Sequence, residues 1–351
     1  MFKAYRKGGL FLKKLLEIFF DKQFIFPYMH LEDVREQHSH YSNSNIYMVM
    51  LAKKYKITDA HCINQQLVVN YKCLEIDESY KISNIILLPF DVPNGSIETN
   101  IHDHGTSIEI GLTNYGIEFI KGNQVDFSNG SNIHARKKIS IYDLISMSTQ
   151  NEETSEEYEI LYIGQSLDNG EGRNIFGRLS SHEKILKIYR DYNMKYRDKE
   201  LVIFLLHANS KLHTITAPDS MTTVYMGNSY WQTTDELGEK ITDATVVNVT
   251  EAMLIYHFKP QYNIKLKNSV PNLDLKTYSE LKNAGVHQID VVLNLYFEQL
   301  KTCIHLLTDT VSVYSKLRIL HCYLESLYDK KDESEIESED IDDNLYRLIN
   351  L

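Results

Sequence analysis

The chain has 351 residues, a formal net charge of −11 and 43% hydrophobic residues. That is more chain than one small fold needs and enough apolar content for real cores, so two or more packed units are expected. The four cysteines (Cys62, Cys73, Cys303 and Cys322) show no Cys-x-x-Cys spacing, which argues against a disulfide framework and a zinc knuckle.

Ala4 to Lys22 reads as an amphipathic helix, with Leu10, Phe11, Leu12, Leu15, Leu16, Phe19 and Phe20 apolar against Lys13, Lys14 and Glu17. Its apolar stretch, Gly8 to Phe20, is too short and too interrupted to span a bilayer, so the helix is expected to pack on the N-terminal domain, a membrane-surface or partner-docking role being the rival. From Ile46 to Ile133 short apolar runs alternate with Asn, Gly and Asp turns. The runs Gln66 to Leu74, Ile82 to Leu88, Ser107 to Leu112 and Gly116 to Ile120 predict mainly β-structure. Strands are then expected at Ile139 to Met147 and Glu159 to Ile163, joined by a long polar hairpin loop, Ser148 to Glu159. A helix from Phe176 to Asp191, a strand from Glu200 to Leu206, an insertion from His207 to Val247 and a helix from Val249 to Phe258 follow. Past Asn268, strands are expected at Asp290 to Phe297 and Thr302 to Leu307, and a helix at Ser315 to Tyr328.

The overall charge opposes nucleic-acid binding, but its distribution does not. Glu325 to Asp343 alone carries a net −8, leaving −3 for everything else. Arg178 to Lys199 holds seven cations and three acids, a local excess of the sign a phosphate track requires. A solvated helix face is the plain alternative.

The chemistry-bearing residues cluster in the same region. Tyr162-Ile163-Gly164-Gln165-Ser166 is an apolar strand ending in a glycine turn. Arg178 and His182 follow, and at helical spacing four apart they would share one face. A phenol, a guanidinium and an imidazole around such a turn suit the gripping and cleavage of a phosphodiester. Glu251 adds a carboxylate, and Pro260-Gln-Tyr-Asn263 adds an amide beyond the helix. Glu251 has a competing role, because Asn248-Val-Thr-Glu251 has the spacing of a helix capping box.

Taken in order, these residues resemble the GIY-YIG nuclease superfamily over roughly residues 138–268. The first half-motif is degraded; its counterpart is Ser140-Ile141-Tyr142, with serine in place of the usual glycine and about twenty residues separating Tyr142 from Tyr162. The resemblance implies an α+β fold, a small mixed sheet flanked by helices, with an N-terminal β-rich domain and a C-terminal α/β extension. The expected units are 1–137 for recognition or partner binding, 138–270 for the nuclease, with 207–247 inserted, 271–328 as extension and 329–351 as acidic tail. It further implies Tyr142, Tyr162, Arg178, His182 and Asn263 as catalytic-site residues. Glu251 would be the ligand of a divalent cation, Mg²⁺ being the best match to a carboxylate, phosphate oxygens and several waters. The expected function is metal-dependent hydrolysis of DNA in a reducing cytoplasm, with no membrane partner and with restriction or defence against foreign DNA as the suggested role. The N-terminal region could dock a protein partner.

Two rival readings differ in class. One is a catalytically weak platform on the same fold that binds nucleic acid or protein. The other is a cupin-like metalloprotein with an appended module. There His102 and His104, two apart on a strand, would chelate a metal with Glu109 and His134, and Gly116 would complete the motif spacing.

Overall fold

In the computed structural model of this chain, residues 10–88, 90–122, 136–148, 153–167, 174–218, 231–233, 241–267, 275–298, 301–324 and 336–341 are described. The fold is mixed α+β, a large multi-stranded sheet with helices on both faces. The chain enters through strand β1 (Leu10–Pro27), a helix α1 (Leu31–Gln37) and strand β2 (Ile46–Lys53). It leaves the large sheet for β3 (Tyr55–Ile63), β4 (Gln66–Cys73), β5 (Glu78–Ile86), β6 (Ile97–His102) and β7 (Ser107–Leu112). Helix α2 (Asn114–Gly122), strand β8 (Lys137–Ser140) and helix α3 (Ile141–Ser148) complete this excursion. The chain returns with β9 (Thr154–Gln165), α4 (Ile175–Ser181), α5 (Glu183–Lys195), β10 (Lys199–Pro218), β11 (Trp231–Thr233) and α6 (Asp243–Phe258). It continues through α7 (Leu275–Asn283), β12 (Gln288–Asn294), β13 (Tyr296–Phe297), β14 (Thr302–Leu307), β15 (Ser312–Val313), β16 (Leu317–Tyr323) and β17 (Ile336–Ile341).

The large sheet runs β13-β14-β9-β2-β10-β1-β12-β16-β17. Its central strands alternate to two cores, as the period of 2 demands. On β2 and β10, Met48, Met50, Val202, Phe204 and Leu206 face one way and pack with α6. Tyr47, Val49, Leu51, Leu201, Ile203 and Leu205 face the other way and pack with Ile175, Phe176 and Leu179 of α4 and Ile185 and Ile188 of α5. A bulge interrupts this alternation on β9. Val49 pairs with Tyr162 and Met50 with Ile160, so Leu161 is the extra residue and both Leu161 and Tyr162 fall in the α4–α5 core. An inserted strand residue redirects its neighbours in this way.

The excursion has its own sheets, β3-β4-β5 and β6-β7-β8, and its own core of Ile57, Leu67, Val69, Ile82, Ile85, Ile108, Ile141 and Leu144. It therefore stands as an insertion of roughly residues 54–148 between two paired strands, not as an N-terminal domain over 1–137. β1 and β2 belong to the large sheet, and so do the strands of the expected 271–328 extension, β12 pairing with β1 and β14 with β9.

Several local expectations need correction. Of the expected helix Ala4 to Lys22, the residues from Leu10 on form β1, and Ala4 to Gly9 lie outside the described residues. β1 lies between β10 and β12, so apolar residues occupy both its faces and the run loses the alternation that identifies a strand. Ile139 to Met147 divides into the end of β8 and helix α3. Gly116 to Ile120 lies inside α2, and the described part of Ser315 to Tyr328 is mainly β16. Of the acidic end, 336–341 form β17 against β16 and the remainder falls outside the described residues. Among the described residues, no helix is long and apolar enough to cross a membrane.

Candidate active site

The site forms where β2, β9, the α4–α5 junction and α6 meet. Tyr47 lies opposite Gly164 in the β2–β9 ladder, and Tyr162 lies opposite Val49. Their rings are 6.1 Å apart between centroids. Gly164 makes this approach possible: a Cβ there would sit 2.5 Å from the Tyr47 Cζ and Oη and 2.9 Å from a Tyr162 ring carbon. The glycine supplies room for a phenol rather than an unusual φ.

Helix α4 begins at Asn174, whose side chain accepts the Gly177 N–H at 3.0 Å. One turn in, Arg178 stays exposed while Ile175, Phe176 and Leu179 are buried, and its guanidinium reaches the Tyr47 hydroxyl. The expected continuous helix breaks at His182. That residue takes φ −77° and ψ 110° between α4 and α5, so Arg178 and His182 meet through a joint rather than along one helix face. The His182 ring lies 5.9 Å from that of Tyr162, and the Lys184 Nζ stands 5.3 Å from the same Tyr162 ring.

Glu251 arrives from the opposite layer. Helix α6 is capped by Thr242, whose hydroxyl accepts the Thr245 N–H at 3.3 Å. Glu251 is therefore a mid-helix residue, and the capping-box role is removed. Its carboxylate is mostly buried, takes a hydrogen bond from Gln165 and lies in the field of Arg178. The Gln165 Nε2 also donates to Asn248 Oδ1 at 3.0 Å, tying the end of β9 to α6.

Asn263 fixes this arrangement from below. It accepts the Ile163 N–H and donates to the Ile163 carbonyl, both at 2.9 Å, in place of a strand neighbour. The Tyr262 N–H donates to the Leu161 carbonyl at 2.9 Å, which occupies the extra residue of the bulge.

Electrostatics separate the groups. Burial raises the Glu251 pKa to about 7, the Arg178 charge and the Gln165 bond only partly offsetting it. Burial, then Arg178 and Lys184, lowers that of His182, so its imidazole is neutral at pH 7 and able to accept a proton. Burial raises the pKa of both Tyr47 and Tyr162, so both are phenols, not phenolates. Three buried atoms of the site find no hydrogen-bond partner of good geometry: Tyr47 Oη, His182 Nδ1 and Gln165 Oε1. Native proteins leave few such groups unsatisfied, and those they leave call for a water, an ion or a ligand.

Five of the six expected site residues are thus part of this assembly, Asn263 by holding β9. The sixth is not. Tyr142 lies on α3, packs edge-on to Tyr55 and donates its hydroxyl to the Lys53 carbonyl at 3.1 Å. Lys53 is six residues along β2 from Tyr47, about 20 Å at strand rise. The strand beside Tyr162 instead carries Asn45-Ile46-Tyr47 at its head. Tyr47 and Gln165 were missed. The Ile-Tyr pair at the head of a strongly apolar strand was the available signal for the first.

The histidine pair of the insertion is not gathered around a common point. His102 ends β6, His104 follows in a 3-10 turn with φ 57°, and Glu109 is bonded by Arg136 at 3.1 Å. Asp103 between them is held by Lys138 and Ser107, while His134 lies outside the described residues. Among the described residues no group of three or more His, Cys, Asp or Glu is placed to hold an ion. A cation at the main site would have Glu251 as its carboxylate.

No protein-family model, curated protein or solved structure matches this chain.

Proposed function

We propose that the chain is a GIY-YIG-type endonuclease that hydrolyses DNA phosphodiester bonds with a divalent cation, Mg²⁺ being the best match. The observation that carries this reading is the convergence of Tyr47, Tyr162, Arg178, His182 and Glu251 from four elements onto a spot with three unpartnered buried polar atoms. The resemblance now uses Asn45-Ile46-Tyr47 and Tyr162-Ile163-Gly164 as half-motifs on two adjacent antiparallel strands, with the insertion accounting for their separation.

Phosphodiester cleavage needs an aligned water, a proton acceptor and positive charge on the equatorial oxygens. In this reading Arg178, an exposed residue whose guanidinium also reaches Tyr47, forks onto the scissile phosphate. The neutral His182 takes the proton of the attacking water. The Tyr47 and Tyr162 hydroxyls hold that water in line, with Gly164 and the β9 bulge setting their spacing. The residues fit a hard cation: Glu251 is a mostly buried carboxylate with the Gln165 amide beside it, the Arg178 charge only partly offsets its burial, and a cation there would restore its charge. Bound Mg²⁺ would supply charge stabilisation at the phosphate and leaving oxygen. Asn263 and Gln165 act by position only.

The deciding experiment incubates the full chain with supercoiled, linear and branched DNA, with Mg²⁺ or with EDTA, beside Glu251→Ala. Cleavage that needs both Mg²⁺ and Glu251 supports the proposal. Binding without cleavage of any substrate would leave the fold as a platform.

A further inference from the structure

The face of α5 that does not touch the sheet carries a row of exposed cations. Ile185, Ile188 and Tyr192 bury one side of the helix. Lys187 and Arg190 on the opposite side are exposed, as are Lys195 and Arg197 at the exit. None of these four makes an ion pair among the described residues, whereas Lys199 just beyond is held by Glu75 at 2.6 Å. The acids of the segment offset them little. Asp191, which accepts from the Tyr262 hydroxyl at 3.2 Å, and Asp198 beside Arg197 are half-buried, and Glu183 is the exposed acid of the helix. This cationic face belongs to a chain of net charge −11, so the sign is local and not a general property of the surface. It is also continuous with the site: α5 starts at the His182 joint, and Lys184 stands over Tyr162.

We infer that this face carries the sugar-phosphate backbone of duplex DNA away from the cleaved phosphate. The inference rests on the proposed nuclease reading and adds the form of the substrate. Thirteen helical residues extend about 20 Å, the length of roughly six base pairs. A duplex fits better than a single strand because the aromatic rings here each have one face already packed. Tyr189 packs on Tyr28 at 5.2 Å, and Tyr196 stacks on Tyr192 at 4.9 Å, so neither presents two free faces to an unstacked base. Leu186 and Met194, exposed on the same helix, would lie against sugars.

The test compares the full chain with Lys187→Ala/Arg190→Ala, using a fluorescein-labelled 30-base-pair duplex and the corresponding single strand across a salt series. Fluorescence anisotropy reports binding in EDTA, and cleavage at saturating duplex is measured with Mg²⁺. Duplex affinity should fall about tenfold and the slope of log affinity on log salt should flatten by roughly 2, one counterion per lost phosphate contact. Saturated turnover should stay within about twofold, and a control pair on the insertion, Lys81→Ala/Lys121→Ala, should change neither. An unchanged duplex slope in a chain that still cleaves DNA would overturn the surface and spare the nuclease reading. A loss confined to the single strand would overturn the duplex assignment. If the unaltered chain neither binds nor cleaves either probe, the nuclease reading falls and this inference with it.

Discussion

A buried hydroxyl without a partner costs the folded protein part of its desolvation energy, about 1–3 kcal/mol. The Tyr47 hydroxyl has only poorly formed contacts, to Arg178 and Tyr162, whereas Tyr142 is well bonded, so the same substitution should have opposite signatures at the two positions. Tyr47→Phe is expected to leave stability unchanged or slightly raised while cleavage falls about 100-fold, as when other transition-state donors are removed. Tyr142→Phe loses its bond to the Lys53 carbonyl, so it should cost about 1 kcal/mol in urea titration and leave turnover intact. Reversal of the two results would restore Tyr142 to the site. Glu251 gives a pH signature. Its folded pKa, about 7, lies above the ordinary carboxylate value near 4.5, so the native state binds its proton more tightly than the unfolded chain. Its contribution to stability is fully present below pH 4.5 and is lost as pH rises towards 7, by about 3 kcal/mol in total. A cation that binds the charged form offsets this loss. Millimolar Mg²⁺ should therefore raise the melting temperature more at pH 8 than at pH 5.5, and Glu251→Gln should abolish the difference. An equal Mg²⁺ shift at both pH values would place the cation elsewhere.

At the scale of elements, the site depends on three local devices along β9: the extra residue at Leu161, the open space at Gly164 and the double hydrogen bond from Asn263. Gly164→Ala puts a methyl inside the Tyr47 ring, a typical overpacking cost of about 1–3 kcal/mol. Because the displaced group is Tyr47, turnover should fall further than stability does; a fully active Gly164→Ala would mean that the phenol has no fixed role. Asn263→Ala strands a buried N–H and a buried carbonyl, so a loss of about 2–4 kcal/mol is expected in denaturant titration. These devices differ in how readable they were. Tyr162 to Ser166 and Pro260 to Asn263 could be placed because each is a short contiguous run of telling residue types, although Asn263 acts on Ile163 about a hundred residues away. Strands such as Ser107–Leu112 and Thr302–Leu307 emerged with the expected bounds, since short apolar runs between turn residues leave little choice. The break at His182 was hidden, because the apolar spacing of α4 and α5 continues across it and only the backbone conformation of one residue divides them. Tyr47 was hidden for another reason: a search along the chain expects the paired strands to be neighbours, and here roughly a hundred residues are folded between them.

At the scale of the whole molecule, the sheet ties together segments that the sequence separates. β9 is flanked by β2 from the first part of the chain and by β14 from the last, and β10 is flanked by β2 and β1. The segment 138–270, which the motifs alone mark out as a module, contains β9, β10 and α6 but none of those partners. It would expose the edges of β9 and β10, with Leu161, Ile163, Phe204 and Leu205 losing cover they have in the full chain. It would also lack Tyr47. Long apolar edges of this kind aggregate instead of standing open to water. Residues 138–270 expressed alone should therefore be insoluble or lack a cooperative melt, and should show no Mg²⁺-dependent cleavage. A chain keeping residues 10–53 and 153–324, with a short glycine-serine turn replacing the insertion, restores every strand neighbour of β9 and brings Tyr47 back opposite Gly164. It should melt cooperatively and cleave, because the insertion keeps its core to itself. Circular dichroism melts and cleavage assays on the two shortened chains decide the matter. If 138–270 folded and cut DNA unaided, the assignment of Tyr47 and the structural role of β2 would both be wrong.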